Sequence, residues 1–293
     1  MNYANIIGIN ERRNLMNGGL IEGLKKIYTG SNAWKIHLWI FGLTLVMSIV
    51  LCYAGTQIEV PAGKHLNELM LGKYFITEEP VLGIIYLIAT LLLSGYLFNT
   101  VHNMVKFFSL NLTDEEAKQY NIFPALNITE ILKVLPKLIV VGLLWIFYMT
   151  VFITICILAT SVIKAKLFSV LVLFASILVI IPVYAMVFTK FCENYEIKSV
   201  VNPLCAIDIL KKTFIPLWWL IVRTLLFVLI LAAITILFAF ILAIFFRFIG
   251  EPVIEGILTV IIFYALIICY FAYYYGCANI YNKKLKNSEE ELA

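Results

Sequence analysis

The chain has 293 residues, of which 62% are hydrophobic and 14% are charged. Soluble globular proteins contain roughly 45–50% apolar and about 25% charged residues, so this composition excludes a water-soluble fold. Intrinsic disorder is excluded because it requires few apolar residues and many charges. The net charge is +4, but the basic residues are spread over many loops, which argues against nucleic-acid binding. The composition is typical of an all-α polytopic membrane protein.

Six apolar segments are long enough to cross a membrane as helices. A hydrocarbon core of about 30 Å requires about 20 apolar residues, and they must be helical because lipid cannot hydrogen-bond the backbone. The predicted spans cover residues 36–54, 81–101, 138–159, 167–188, 217–246 and 253–278. The region before the first span is too polar for a cleavable signal peptide, so we expect the first span to be retained.

The distribution of basic residues predicts the orientation of these spans. Cytoplasmic loops carry an excess of Lys and Arg. With six spans, 17 of the 22 Lys and Arg residues fall on the side of the two termini, and five fall on the other side. We therefore predict that both termini are cytoplasmic.

Three similar amphipathic segments precede the outward spans. They cover residues 18–29, 127–136 and 204–214, and each contains an acidic residue followed two positions later by Leu-Lys. Apolar residues recur at helical spacing in each segment, which predicts three short helices on the cytoplasmic surface. Their lysines, Lys25, Lys133 and Lys211, are expected to face anionic lipid headgroups.

The ends of two inward spans are also similar. The second span ends with Gly95-Tyr96, Asn99 and Asn103, and the sixth ends with Tyr275-Gly276, Asn279 and Asn282. The chain can thus be divided into three hairpin units, each with a surface helix, a span out and a span back. Units of one orientation would be related by an axis along the membrane normal. The alternative is chance similarity, since amphipathic basic stretches commonly precede outward spans.

A family resemblance is carried by Gly95-Tyr96-Leu97, Phe123-Pro124 and Glu130-Ile131-Leu132-Lys133. This pattern resembles a family of bacterial and archaeal multi-pass membrane proteins known as domain of unknown function 4013, and the resemblance would cover most of the chain. It implies a multi-pass fold in the cytoplasmic membrane of a bacterium or an archaeon. It implies no established activity and no catalytic residues.

The sequence contains no recognisable catalytic motif. Its three histidines, His37, His65 and His102, lie far apart and form no zinc-ligand pair. Phosphate-binding loops, nucleophile elbows and dinucleotide fingerprints are absent. The six cysteines form no CxxC pair and are expected to pack as small apolar residues. We therefore expect no enzymatic activity, no metal and no cofactor.

Arg223 is the notable charge inside a predicted span. Ionisable residues within spans are functional candidates, because their burial costs at least ~2.5–3.5 kcal/mol. Arg223 also lies near Trp218 and Trp219, which mark the membrane interface, and an Arg there can extend to the headgroups. We favour headgroup contact for Arg223. No charge lies at the centre of another span, which argues against an ion-coupled carrier.

Two functions fit these observations. The first is a non-enzymatic scaffold, accessory or lipid-interacting component, with membrane lipids and an unidentified membrane protein as partners. The alternative is a small-molecule or lipid transporter or channel with an inward-facing polar pocket, lined by Asn99, Asn103, Tyr275 and Asn279. A buried Asn costs a few kcal/mol unless it is hydrogen-bonded, so Asn99 and Asn279 are expected to point into the bundle.

Overall fold

The structure is a computed structural model that describes residues 20–29, 33–58, 68–110, 116, 120–124, 127–161, 166–245 and 251–286. Within them, nine α-helices are followed by a π-helical turn at Asn282–Lys286. The α-helices are α1 (Leu20–Thr29), α2 (Ala33–Gln57), α3 (Glu68–Thr77), α4 (Pro80–Ser109), α5 (Ile128–Ser161), α6 (Lys166–Asn194), α7 (Lys198–Val201), α8 (Cys205–Phe245) and α9 (Glu251–Tyr281). The described part has no β-strand, which confirms the all-α class.

Five helical stretches in the described residues are long and apolar enough to cross a membrane. They are Ala33–Gln57, Pro80–Ser109, Ile128–Ala159, Cys205–Ile241 and Gly256–Leu285. They are consistent with a multi-pass membrane protein. The fourth predicted span lies in α6, which is not among the five, and several side chains in its N-terminal half lie outside the described residues.

The predicted surface segments differ from one another in the structure. Residues 20–29 form the separate helix α1, and residues 18 and 19 lie outside the described part. Residues 128–136 and 205–214 are instead the first turns of α5 and α8, which continue through Pro136 and Pro216. A proline removes one backbone hydrogen bond, but membrane helices tolerate it where neighbours or water satisfy the freed carbonyl. The expectation of three separate surface helices therefore fits α1 alone.

Three helices, α4, α6 and α9, all contact one another and form the centre of the bundle. Each also packs against the long helix before it: α4 against α2, α6 against α5, and α9 against α8. Further contacts join α4 to α5, α6 to α8, and α9 to α2. Extensive packing between any two of α2, α5 and α8 is absent from the described residues.

Buried side chains of α5 and α8 are concentrated at one end of the bundle, whereas those of α2 continue as far as Ala54. In α5 they extend from Ile131 to Trp145, and in α8 from Ile209 to Leu220, whereas the described side chains beyond Trp145 and Leu220 in these helices are partly or fully exposed. We call the end with this buried core the packed half and the other end the open half. The last turns of α4, α6 and α9 lie in the packed half, on the side predicted to be cytoplasmic.

Candidate functional site

Polar side chains connect the ends of the three central helices. The last four carbonyl groups of an α-helix have no partner within the helix. The His102 ring of α4 donates its Nδ1 hydrogen to the Cys192 carbonyl in the last turn of α6. The Asn282 amide, just after α9, donates to the Phe108 carbonyl at the end of α4, at 2.6 Å. Tyr281 of α9 donates its hydroxyl hydrogen to Glu193 Oε2 of α6, at 2.6 Å.

Together these three bonds link α4 to α6, α9 to α4, and α9 to α6. We call their side chains, together with Asn99 and Tyr195, the inner-end cluster. His102 acts here as a cap on another helix, which is a structural role. The Cys192 carbonyl can only accept, so Nδ1 must carry the hydrogen.

Tyr195 has an unusual backbone conformation within this cluster. It follows α6 with φ of 54°, a left-handed conformation that non-glycine residues adopt at a cost of about 1–2 kcal/mol. Its N–H donates to the Phe191 carbonyl at 2.8 Å, and so it caps α6 in the position that glycine usually occupies. Sequence reasoning missed Tyr195, and the only signal was the absence of glycine after α6.

The Tyr195 side chain holds this conformation in place. Its ring stacks on His102 with centroids 4.7 Å apart, and its hydroxyl donates to Asn99 Oδ1 at 2.8 Å. Burial raises the pKa of the Tyr195 hydroxyl, so it stays protonated and able to donate. A strained residue kept in place by several contacts is a feature of functional sites as well as of rigid caps.

The four predicted pocket residues have different environments. Asn99 is half-buried and accepts the Tyr195 hydrogen bond, and Asn103 is half-buried one turn further along α4. Tyr275 is fully buried, with its ring packed against Phe108 at 4.9 Å. Asn279 is 6% exposed, and its Oδ1 has no hydrogen-bond partner in the described part. Asn99 is thus bonded across the bundle, and the polar pocket itself stays a prediction.

Unpaired buried polar atoms are concentrated on α9. In the described residues, five buried side-chain oxygen atoms lack a hydrogen-bond partner. Four belong to α9, namely the hydroxyls of Tyr270, Tyr273 and Tyr275 and the amide oxygen of Asn279, and the fifth is Ser48 Oγ of α2. The three hydroxyls do have polar neighbours, in Tyr274, Cys277 and Glu22 respectively, although none of these contacts has good hydrogen-bond geometry. Each such atom costs about 1–3 kcal/mol unless water or a ligand satisfies it.

Helix α1 is docked on α9. Ile27 is fully buried, and a methyl group added at Gly23 would lie 3.1 Å from the Tyr275 side chain. The His37 ring of α2 joins α1 to α9. Its Nε2 lies 3.1 Å from the Ile27 carbonyl of α1, and its Nδ1 lies 2.7 Å from the Tyr264 hydroxyl of α9. Because the carbonyl can only accept, Nε2 carries the hydrogen of the bond to Ile27.

Lys26 lies on the inward side of α1, with its ammonium 4.9 Å from the Phe107 ring centroid. Burial lowers the pKa of Lys26, and the nearby Glu22 carboxylate partly offsets that shift. Lys25, the predicted headgroup contact, is exposed. Helix α1 therefore presents one face to the bundle and the other outward, as its amphipathic pattern predicts.

The other predicted headgroup contacts lie at the outer surface of the bundle. Lys133 near the start of α5 and Lys211 near the start of α8 are both exposed. Arg223 of α8 is half-buried. Lys25, Lys133 and Lys211 thus lie on three different helices, α1, α5 and α8, and all three are in the packed half.

Among the cavities between neighbouring described helices, three have walls made almost entirely of apolar residues. One of about 220 Å³ lies between α8 and α9, and one of about 220 Å³ lies between α2, α4 and α9. A third, of about 550 Å³, lies between α2 and α9. None of the three is lined by Asn99, Asn103, Tyr275 or Asn279.

Metal-binding chemistry has no support in the described residues, where no group of three His, Cys, Asp or Glu side chains could hold an ion. All six cysteines are free, and Cys192, Cys269 and Cys277 are buried. Comparison of the chain with protein-family models, with curated proteins and with solved structures finds no match.

Proposed function

We propose that this protein is a non-enzymatic integral membrane protein of the cytoplasmic membrane of a bacterium or an archaeon, which acts as a lipid-interacting scaffold or accessory component. The observation that supports this proposal best is the contrast between the packed half and the open half of the bundle. The packed half is filled with aromatic and aliphatic side chains and carries the exposed Lys25, Lys133 and Lys211. The open half exposes apolar helices that only lipid or another membrane protein would cover.

The proposed architecture has six spans in three hairpin units around an axis along the membrane normal. The helix contacts support it, because they repeat cyclically: each central helix packs against its own hairpin partner, the other two central helices and the outward helix of the next unit. Membership of the family known as domain of unknown function 4013 would fit this arrangement and rests on the sequence resemblance.

The contacts of the amphipathic segments also support a repeat. Gly23 and Ile131 each follow the acidic residue of their segment, and each packs on a central helix of the unit before it in the cycle. Gly23 meets the large Tyr275 of α9, whereas Ile131 meets the small Gly95 of α4. In the first contact the amphipathic segment contributes the small residue and the central helix the large one, and in the second contact these roles are reversed. Each interface therefore pairs one small residue with one large residue.

The test of this function is the lipid preference of the reconstituted full chain. Near an anionic surface each Lys contributes about 1 kcal/mol, which is about a fivefold preference. Lys25→Glu, Lys133→Glu and Lys211→Glu should each reduce the enrichment of phosphatidylglycerol over phosphatidylcholine among bound lipids. Lys73→Glu, an exposed lysine of α3 on the opposite side, is the matched control. Equal lipid preference in all variants would contradict the proposal.

One observation favours the transporter or channel as a second candidate. Asn279 Oδ1 is buried on α9 without a partner in the described part, as it would be beside a polar ligand or water. An Asn279→Cys variant, made in a cysteine-free background, would distinguish the two functions. Reaction with a charged thiol reagent from the cytoplasmic side supports a wet inward pocket, and protection supports the scaffold.

A further inference from the structure

The connection between α6 and α8 is held by a helix that could span the membrane. Trp145 of α5 donates its indole Nε1 hydrogen to the Val200 carbonyl at 2.9 Å, and Tyr148 donates its hydroxyl hydrogen to the Val201 carbonyl at 2.9 Å. Both donors lie within the candidate span Ile128–Ala159. The predicted orientation places this connection on the cytoplasmic side, yet its backbone contacts the apolar part of α5. We call residues 200–207 the connector tip.

The sequence of α5 indicates the depth of this contact. Lys137 is followed by an uncharged stretch, since no charged residue occurs from position 138 to position 161. Trp145 and Tyr148 lie eight and eleven residues past Lys137, which is roughly 12 and 16 Å along the axis at ~1.5 Å per residue. Helical side chains lean toward the N-terminus, so the two bonded carbonyls lie nearer to Lys137 than the Cα atoms do, but still beside the uncharged stretch.

All five carbonyl groups from residue 200 to residue 204 accept hydrogen bonds within the protein. Two of these bonds come from α5, and the next three carbonyls accept from backbone N–H groups three residues later, at 3.0–3.1 Å. The Leu204 N–H donates in turn to Asn202 Oδ1 at 2.9 Å. A loop in water can leave its carbonyls to the solvent, whereas non-helical backbone at membrane depth must have them satisfied by the protein. The connector tip meets this requirement for its carbonyls.

Apolar side chains of the connector tip point outward. Val201 is 41% exposed, Leu204 is 61% exposed and Ile207 is 47% exposed. The apolar surface continues onto α5, because the Phe147 ring lies 6.1 Å from the ring of Tyr148 and Phe147 is 62% exposed. The tip therefore extends the apolar surface of a candidate membrane span, and the medium that covers the span also covers the tip.

We propose that the connector tip inserts into the cytoplasmic leaflet of the bilayer, where lipid acyl chains cover its three exposed apolar side chains. Trp145 and Tyr148 are positioning residues, which hold the backbone of the tip at this depth. Lys198 before the tip and Asp208 after it are exposed and would remain at the level of the headgroups. The inference rests on the membrane location proposed above, and it adds a lipid-contacting surface that lies outside the predicted spans.

The experiment uses the full chain in a cysteine-free background, in nanodiscs of phosphatidylcholine and phosphatidylglycerol, with one nitroxide label at a time. Electron paramagnetic resonance compares collisions of the label with oxygen, which concentrates in hydrocarbon, and with a water-soluble nickel chelate. The oxygen-to-nickel ratio should be several-fold higher for Leu204→Cys than for Glu196→Cys, an exposed position before the tip. Equal ratios would overturn the proposal. Protection of position 204 from both reagents would overturn lipid as the occupant and indicate a protein partner.

A second substitution tests the positioning role of α5. Tyr148→Phe keeps the ring but removes the donor to the Val201 carbonyl, so the tip should move toward water and the ratio at position 204 should fall. One hydrogen bond of about 1 kcal/mol changes the proportion of inserted tip to withdrawn tip about fivefold. Tyr53→Phe, at a tyrosine of α2 that is 45% exposed, is the matched control and should leave the ratio unchanged. The same ratio in both variants would overturn the role of Tyr148.

A label at Leu229→Cys separates this test from that of the proposed function, because Leu229 of α8 is 64% exposed in the open half. If Leu229 has a high ratio and Leu204 does not, only the insertion of the connector tip fails. If neither has a high ratio, the helices do not face lipid, and the proposed function fails as well. Should the cysteine-free chain not fold, phosphatidylcholine with photoreactive acyl chains decides on the parent chain. Labelling of α8 around Leu229 without labelling of residues 201–207 would again overturn the insertion.

Discussion

The packed half and the open half of the bundle are built from the same helices, yet they are held together differently. In lipid, apolar side chains gain little by contacting each other, so helix association depends on close packing and interhelical hydrogen bonds. Both are concentrated in the packed half, where Gly95 and Gly276 permit close contacts and His102 and Asn282 bond to neighbouring helices. Hydrophobicity alone therefore places the helices in the membrane, and the packed half determines how they associate.

The largest effect is expected where a glycine allows two helices to meet. A methyl group at Gly95 would lie 2.4 Å from Ile131 Cγ2, so Gly95→Ala should force α4 and α5 apart. Overpacking typically costs 1–3 kcal/mol. Thermal unfolding in detergent should show that loss, and the second substitution Ile131→Ala should recover most of it.

Gly142→Ala is the control for this prediction. It has nothing within 4 Å of an added methyl group, and alanine favours helix by about 1 kcal/mol, so the variant should be as stable as the parent or more so. If Gly95→Ala and Gly142→Ala have the same stability, the close contact between Gly95 and Ile131 does not determine how α4 and α5 pack.

The next effect concerns the inner-end cluster. His102→Ala removes the bond to the Cys192 carbonyl and the ring that supports Tyr195, and it should lower the free energy of unfolding by about 1–3 kcal/mol. Asn103→Ala, at a half-buried neighbouring position, should cost less. A smaller loss in His102→Ala than in Asn103→Ala would show that the helix cap is not a main stabilising contact.

A smaller difference in the free energy of unfolding is expected between phenylalanine substitutions of two tyrosines in α9. Tyr281→Phe loses the hydroxyl bond to Glu193 and should cost about 1 kcal/mol. Tyr275→Phe removes a buried hydroxyl that lies near the Glu22 carboxylate but makes no hydrogen bond of good geometry in the described part, so it should cost less. Equilibrium unfolding of both variants provides the comparison. Destabilisation by Tyr275→Phe as large as that by Tyr281→Phe would indicate that Glu22, water or a ligand bonds to this hydroxyl.

The smallest effect is expected in the open half. Leu229 of α8 is 64% exposed, so Leu229→Ala exchanges contacts with lipid rather than with protein. Its stability should change by no more than about 0.5 kcal/mol, as at exposed sites generally. A loss comparable to that of a core leucine would mean that the open half is covered by protein, for example by an unidentified membrane partner.

The sequence was sufficient for the parts of the fold that depend on hydrophobicity. The apolar segments predict the positions of the long helices, and the helical spacing of Leu24 and Ile27 predicts an amphipathic α1. The third and fifth predicted spans begin at residues 138 and 217, just after Pro136 and Pro216. The structure instead continues α5 and α8 through these prolines. Helix α3 lies in a stretch that was taken for a loop.

The candidate site was less predictable, because it depends on contacts between distant segments. Asn99 could be identified as a polar residue that requires a partner, but nothing near it in the sequence indicated Tyr195. That partner depends on how α4 meets the end of α6 and on a left-handed backbone conformation that tyrosine rarely adopts. The docking of α1 through Gly23 onto Tyr275 likewise depends on three-dimensional packing.

The central position of α9 has a consequence for biosynthesis. This helix follows all the other described α-helices in the sequence, yet it contacts α1, α2, α4, α6 and α8. Ribosomes add roughly 5–20 residues per second, so α1 would emerge roughly ten to fifty seconds before the helix on which it docks. During that interval the face of α1 that contains Gly23 and the inward face of α2 lack α9, on which both pack in the final structure. Assembly of the bundle must therefore be completed after insertion of the earlier helices, when α9 arrives between them.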